Sequence, residues 1–220
     1  MKPKSPFTQA YEELPDELPI YPFENVLLPG GELPLELSAP HELAMFLDAL
    51  KNDQLVGIIL PKDASPDGEI YMTGCAGRIR QYRERKDGKL NIMLTGICRY
   101  VIKEELSLRN GYRIVRADWS LFKQDYEIEY VETNKVNNFK DILRSYFERH
   151  KMQVDWEVLD KMNIEEVVNN LVLVMNLDSE SKQQLLESPT VTERLALFSE
   201  MLEHKADPIV SPAAESKLVN

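Results

Sequence analysis

Residues Leu18–Leu37 read LPIYPFENVLLPGGELPLEL, and this stretch decides what the rest of the chain can be. Prolines at 19, 22, 29 and 34 exclude a continuous helix, because each lacks a backbone donor and clashes with the turn before it. What remains is short extended segments joined by tight bends. Leu18 and Ile20 alternate, Val26-Leu27-Leu28 forms an apolar run, and Pro29-Gly30-Gly31 turns the chain. Then Leu33, Leu35 and Leu37 alternate with Glu32, Pro34 and Glu36, so period two predicts a strand with one buried and one wet face. Pro34 cannot donate to a ladder, which places that strand at a sheet edge.

Outward from this stretch the chain continues as mixed structure. Ser38 and Pro40 predict a helix start, with Leu43, Phe46, Leu47 and Leu50 on one face. Leu55–Leu60, LVGIIL, is a strand-length apolar run, and Pro66-Asp67-Gly68 is a turn signal. Strand-like segments follow at 70–73, 74–82, 90–94, 96–102 and 112–117. Asp87-Gly88 and Asn110-Gly111 stand between them as turns, the first expected to supply the positive φ angles of a two-residue hairpin. Many short strands and one helix are buried most simply as a curved sheet or partly closed barrel over residues 15–130.

Near Val131 the period changes to that of helices. Phe139, Ile142, Leu143, Tyr146 and Phe147 follow helical spacing behind Asn137 and Asn138 as caps, and a shorter helix carries Trp156, Leu159 and Met162. Asn163 with Glu166, Asp178, and Thr190 with Glu193 open three more. Helices with short connections predict an antiparallel bundle over 131–205, and α+β as the fold class. Residues 1–14 and 206–220 are polar, proline-bearing and aperiodic, and are expected to be mobile tails.

Composition narrows function mainly by exclusion. A net charge of -11 over 220 residues argues against general binding of nucleic-acid phosphates, which needs concentrated basic surface. Two cysteines, Cys75 and Cys98, make no disulfide framework, and MKPKSPFTQAYEELPDE has no apolar leader, so a cytoplasmic address is expected. No apolar run approaches the roughly 20 residues that span a bilayer. The three histidines are far apart in sequence and neither cysteine has a CxxC partner, so no metal is expected. Around Gly88-Lys89, Leu90 replaces the hydroxyl residue of a phosphate-binding loop and Arg83 its first glycine, so no cofactor is expected either. Glu104-Glu105, Glu127, Glu129 and Glu165-Glu166 read as solvated faces, not a catalytic pair. The one basic concentration is Arg78, Arg80, Arg83, Arg85, Lys86 and Lys89 within RIRQYRERKDGK. It reads either as a charged hairpin that resists edge-to-edge pairing, or as a site for an acidic peptide or RNA with Tyr82 as a stacking ring.

The order of these segments is more specific than any one of them. LPIYPF, VLLPGGELPLEL and a helix start, then LVGIIL, GCAGRI, DGKLNI and TGICRY, and finally NNLVLVMNLDSESKQQLLE and TERLALF, resemble the N-terminal substrate-binding domain of Lon-type ATP-dependent proteases. The resemblance spans about Leu18 to Leu202 and implies a PUA-like β-domain followed by a helical bundle. It also implies a stand-alone, non-enzymatic module, without the ATPase and Ser-Lys peptidase modules of full-length Lon. PKDASPDG, residues 61–68, superficially resembles the peptidase serine motif but reads as a solvent loop, with no second matching element. After Leu35, where relatives often carry an IFEPRY-like segment, this chain has Glu36-Leu37-Ser38-Ala39-Pro40-His41, so contacts of that aromatic and Arg-Tyr pair do not transfer.

The function this implies is binding of polypeptide, unfolded or damaged protein or a protease-system partner, through an apolar groove beside the first helix or the bundle. Tyr21, Phe23, Leu28 and Pro29 are its candidate residues, with Arg78, Arg80 and Arg99 as further contacts. An RNA-binding PUA-like module and an adaptor with one dedicated protein partner are the alternatives. Oligomeric state is not legible in the sequence.

Overall fold

The computed structural model describes residues 9–63 and 68–204. Residues 1–8 of the first expected tail, all of the second at 206–220, and most of the 66–68 turn signal lie outside them. The described chain divides into two compact units, one ending at Ile128 and the other starting at Glu129.

In the first unit, β1 (Glu17–Pro22), β2 (Glu32–Leu37), β3 (Leu55–Ile59), β4 (Thr73–Glu84), β5 (Leu90–Glu105) and β6 (Arg113–Asp118) form one mixed sheet in the order β2-β5-β4-β3-β1-β6. Only β1 and β3 run parallel. The late part of β5 also pairs with β6, through Val101–Asp118 and Ile102–Ala117, so the sheet curves strongly around its core. Leu18, Ile20, Leu55, Ile59, Val115 and Trp119 meet in that core around Tyr100, which is fully buried. The alternation read at Glu32–Leu37 is realised, and β2 with its Pro34 is an edge strand paired with β5 alone.

Several local expectations are corrected. The segments at 90–94 and 96–102 are one strand, which runs on through Gly96 with a shift of register against β4 beside it. The β4–β5 connection is a longer loop than the two-residue turn expected. The Gly88 N–H bonds to Arg85 O (3.1 Å) and only Gly88 takes positive φ, a turn followed by a left-handed glycine. Helix α1 (Pro40–Lys51) buries Met45, Phe46 and Ala49, whereas Leu47 faces outward at 53 % exposure, so the buried stripe is rotated from the one read. Its cap is not Ser38. Glu42 reaches back to the N–H groups of Ser38 and Ala39, both at 2.8 Å. Within the stretch expected to be a tail, Tyr11–Glu13 form a 3-10 turn, because the Tyr11 ring packs edge-on to Tyr126 at 5.7 Å.

Tyr100 shows how tightly the sheet is filled. A β-carbon on Gly57 or on Gly74 would stand 2.6 Å from its hydroxyl, and on Gly74 also 2.5 Å from the Ile58 carbonyl. The hydroxyl itself has no hydrogen-bond partner among the described residues. Trp119 lies edge-on to the ring at 5.7 Å and its indole N–H donates to Pro15 O (3.0 Å).

The second unit holds helices α2 (Thr133–Arg149), α3 (Trp156–Lys161), α4 (Ile164–Val174), α5 (Ser179–Glu187) and α6 (Val191–His204). Helix α2 starts before Asn137 and Asn138, so those residues are not its caps. The Asn163–Glu166 box and the Asp178 cap form as read, with Asn163 Oδ1 accepting from Glu166 N (2.8 Å) and Asp178 Oδ1 from Ser181 N (2.7 Å). Phe139 packs on Phe198 at 5.8 Å, and the Arg144 guanidinium lies 4.3 Å from the Trp156 ring centre. Arg194, 1 % exposed, donates from α6 to Leu185 O (2.9 Å) and Asn169 Oδ1 (3.2 Å), tying α5 and α4 to it. Among the described residues no helix is long and apolar enough to cross a membrane.

The first turn of α6 is capped from a distance. Glu129 accepts from Val191 N (2.6 Å), Thr192 N (3.0 Å) and the Thr192 hydroxyl (2.6 Å). Burial pushes its carboxyl up, but these donors outweigh burial and hold it below its usual range.

Gly74→Ala is expected to lower the urea-unfolding free energy by about 1–3 kcal/mol through overpacking. Tyr100→Phe should leave it within about 1 kcal/mol, because the lost hydroxyl satisfies no partner. Glu129→Ala should cost about 1 kcal/mol at neutral pH, as loss of a helix cap does. Since the folded carboxyl lies below the unfolded one, its contribution is complete above the unfolded value and disappears as pH falls through the folded one. Melts of both proteins should therefore converge in acid.

Candidate functional site

The later part of β4 and the first part of β5 extend beyond the reach of β3, which pairs with β4 only as far as Leu55–Arg78. With β2 laid along β5, they form a three-stranded arm with free edges at β2 and at the end of β4. The register assigns its two faces. Leu33, Leu35, Leu37, Ile79, Leu90, Ile92 and Leu94 point inward, none more than 8 % exposed. Tyr82 shares that side, pairing with Ile92, and its ring lies edge-on to Phe46 of α1 at 5.4 Å.

The outer face carries three cross-strand rows: Glu32–Thr95–Arg78, Pro34–Met93–Gln81 and Glu36–Asn91–Arg83. A shallow concavity of about 450 Å³ lies on it, lined by Pro34, Glu36, Gln81, Arg83, Asn91 and Met93 among others. Its charges are distributed unevenly. At the β2 edge, Glu36 accepts from Lys89 Nζ (2.5 Å) and Arg85 Nη1 (2.8 Å), and the Lys89 bond leads in holding its carboxyl below the usual range. At the β4 edge the arginines have no such partner among the described residues. Arg78 donates from Nη2 to Gln54 Oε1 (3.4 Å) while its Nη1 has no acceptor, and Arg80 reaches Thr95 Oγ1 from Nε (3.4 Å). Arg83 is exposed and makes no ion pair among the described residues.

The other residues singled out in the sequence are placed elsewhere. Leu28 is fully buried and Pro29 is buried, so neither lines an open groove; their run packs under the turn that leads into β2. Tyr21 and Phe23 are half-buried and stack with ring centres 6.1 Å apart. The Tyr21 hydroxyl donates to Glu42 Oε1 (2.9 Å), and burial together with that carboxylate drives its pKa well up. Arg99 is 1 % exposed and closed to any ligand. Its Nη2 and Nε bind Asp125 (2.7 and 3.1 Å), its N–H binds the same carboxylate (2.9 Å), and its guanidinium lies 4.3 Å from the Phe122 ring centre.

A second cavity, about 230 Å³, includes Glu17, Asp48, Arg109 and Tyr112 in its lining. These groups satisfy one another, Tyr112 and Asn110 donating to Asp48 (2.8 and 3.1 Å) and Arg109 to Glu17 (3.1 Å). Among the described residues, no cluster of three or more histidine, cysteine or acidic side chains could hold a metal ion. Arg83 belongs to the basic cluster read in the sequence, whereas Pro34, Met93 and Gln81 carry no site signal there. Each was visible as an alternating or charged position, but which face would remain open was not.

The family model described as the ATP-dependent protease La (LON) substrate-binding domain matches residues 17–204. Among curated proteins, Lon protease 2 of Myxococcus xanthus is 26 % identical over 204 residues, 89 % of this chain and 24 % of that protein. Lon protease of Anaeromyxobacter dehalogenans is 23 % identical over 205 residues, again 89 % and 24 %. The chain thus spans about a quarter of the length of these relatives. Among solved structures, a Lon N-terminal domain protein from Xanthomonas campestris superposes with TM-score 0.63 at 20 % identity, covering 83 % of this chain and 96 % of that one. The N-terminal domain of the Mycobacterium avium complex Lon protease gives 0.63 at 18 %, covering 86 % and 100 %.

Because Arg99 and Asp125 are sealed from water, removing one strands the other. Arg99→Leu is expected to destabilise the protein by about 3–5 kcal/mol in urea unfolding. Arg80→Gln, on the open edge, should stay within about 0.5 kcal/mol of the parent.

Proposed function

The chain belongs to the family of substrate-binding domains of ATP-dependent Lon proteases, and on that premise we propose that it binds polypeptide without reacting with it, on the outer face of the β2-β5-β4 arm. The observation that carries this reading is the shallow concavity whose middle row is Pro34, Met93 and Gln81, set between two free sheet edges. An extended segment suits such a surface. Its backbone can run beside strands that have unmet ladder positions, while its apolar side chains rest on Pro34 and Met93. A compact folded protein offers neither a free backbone nor side chains at that spacing, so unfolded or extended polypeptide is the substrate class.

The reading needs no reacting group. Recognition by a flat, open face holds a chain without enclosing a bond, and bond cleavage depends on enclosed, oriented groups. Tyr21 and Phe23, fixed by the Glu42 bond and by their mutual stacking, serve in this reading as framework for α1 and not as contacts.

Fluorescein-labelled casein, which lacks a compact fold, should bind the purified chain in an anisotropy titration. Met93→Asp should weaken that binding by roughly tenfold, the usual effect of disabling a residue at the centre of an interface, and leave the thermal melt in place. The wild-type chain should leave casein intact with and without ATP. Unchanged affinity in Met93→Asp, or casein fragments from the wild type, would overturn the proposal.

A further inference from the structure

The arginines of the β4 edge point to the chemistry of the bound segment. We propose that Arg78, Arg80 and Arg83 form a cationic rail for carboxylates, so that the preferred occupant of the outer face is an extended polypeptide alternating apolar with acidic side chains. This rests on the reading that the same face takes polypeptide, and it adds which polypeptide.

Three observations carry it. First, the chain is acidic overall, with 37 acidic residues against 26 lysines and arginines, so carboxylates are plentiful. Elsewhere in the first unit they are used: Arg85, Arg109, Arg113 and Arg116 each hold a carboxylate within 3.3 Å. Arg78, Arg80 and Arg83 hold none among the described residues, and Nη1 of Arg78, although buried, has no acceptor of any kind there. Secondly, the three stand together. Arg78 pairs with Thr95 and Arg83 with Asn91, on the same side of β5 as Met93. Arg80, at the irregularity between Ile79 and Gln81, touches Thr95 as well. Thirdly, the cations flank the apolar row of Pro34 and Met93 on one side only. The opposite edge presents Glu32 and a Glu36 already engaged by Lys89 and Arg85.

An extended guest repeats its side chains with period two on each face. Laid along the arm, it can seat an apolar residue on Met93 and direct its acidic neighbours toward the β4 edge, where guanidinium groups bind carboxylates in a planar fork. The same rail is a poor track for RNA. Stacking would need an aromatic ring beside the cations, but Tyr82 lies on the opposite face against Phe46. Glu32 would also repel a polyanion across the groove.

Anisotropy titrations with short fluorescein-labelled peptides test this, with leucine alternating with aspartate, with serine or with lysine. The expected order is aspartate tightest, then serine, then lysine, with roughly tenfold between the extremes. Raising salt should narrow the differences, because exposed charges are screened. Arg80→Glu/Arg83→Glu should reverse the order. Arg83→Gln should narrow it, and circular dichroism melts should match the parent for both variants. Equal binding of aspartate and lysine peptides, or an order unmoved by the double variant, would overturn the cationic rail while leaving polypeptide binding in place. No binding of any peptide would overturn both. Tighter binding of labelled oligouridylate than of the aspartate peptide would reassign the face to RNA.

Discussion

At residue 96 the chain has no room for a side chain. A β-carbon there would lie 2.0 Å from the carbonyl oxygen of Leu28, closer than any real contact allows. Glycine at this position lets the turn after Leu28 lie directly on β5, held by Gly30 N to Gly96 O and by Gly96 N to Gly31 O, both 2.9 Å. Gly77 on the neighbouring strand repeats the device, since a β-carbon there would meet Leu27 at 2.7 Å. Once the turn is pinned, β2 has only one place to go, along the first half of β5, and its alternation decides which leucines face the core. The arm, its two free edges and its outer concavity all follow from that crossing.

One long hairpin thereby gives its arginines opposite fates. Arg99 falls in the gap that β2 and β6 leave along β5, where Asp125 takes its backbone N–H, and its side chain is sealed against Asp125 and Phe122, contributing to the uniqueness of the core. Arg78, Arg80 and Arg83 fall where the neighbouring strand has ended or is ending; Arg80 and Arg83 are exposed, Arg78 is half-buried against Gln54, and none of the three holds a carboxylate among the described residues. Residue type is the same in all four. Strand parity and the point at which β3 stops make the difference.

This division explains what could be read before any coordinates. Period two at Glu32–Leu37, the shift to helical period near Val131 and the Asn163–Glu166 box are local signals, and local signals survive folding. The ordered segments also sufficed to suggest the family. The rotated face of α1 and the burial of Leu28, Pro29 and Arg99 depend on contacts between segments far apart in sequence, so no single window contains them. Arg78 and Arg80 were named for their charge alone. Met93 was passed over because a half-exposed methionine in an alternating strand carries no mark of its own.

The chain has two tryptophans, and they fall one in each unit: Trp119 edge-on to Tyr100 within the sheet, Trp156 beneath Arg144 among the helices. Their surroundings differ in kind, a nearly dry indole bonded to a carbonyl and a partly wet one covered by a cation. Each unit therefore carries its own intrinsic fluorophore. With one tryptophan replaced by phenylalanine, emission reports on the sheet alone or on the helices alone, and whether the two melt as one cooperative body becomes a matter of comparing two curves.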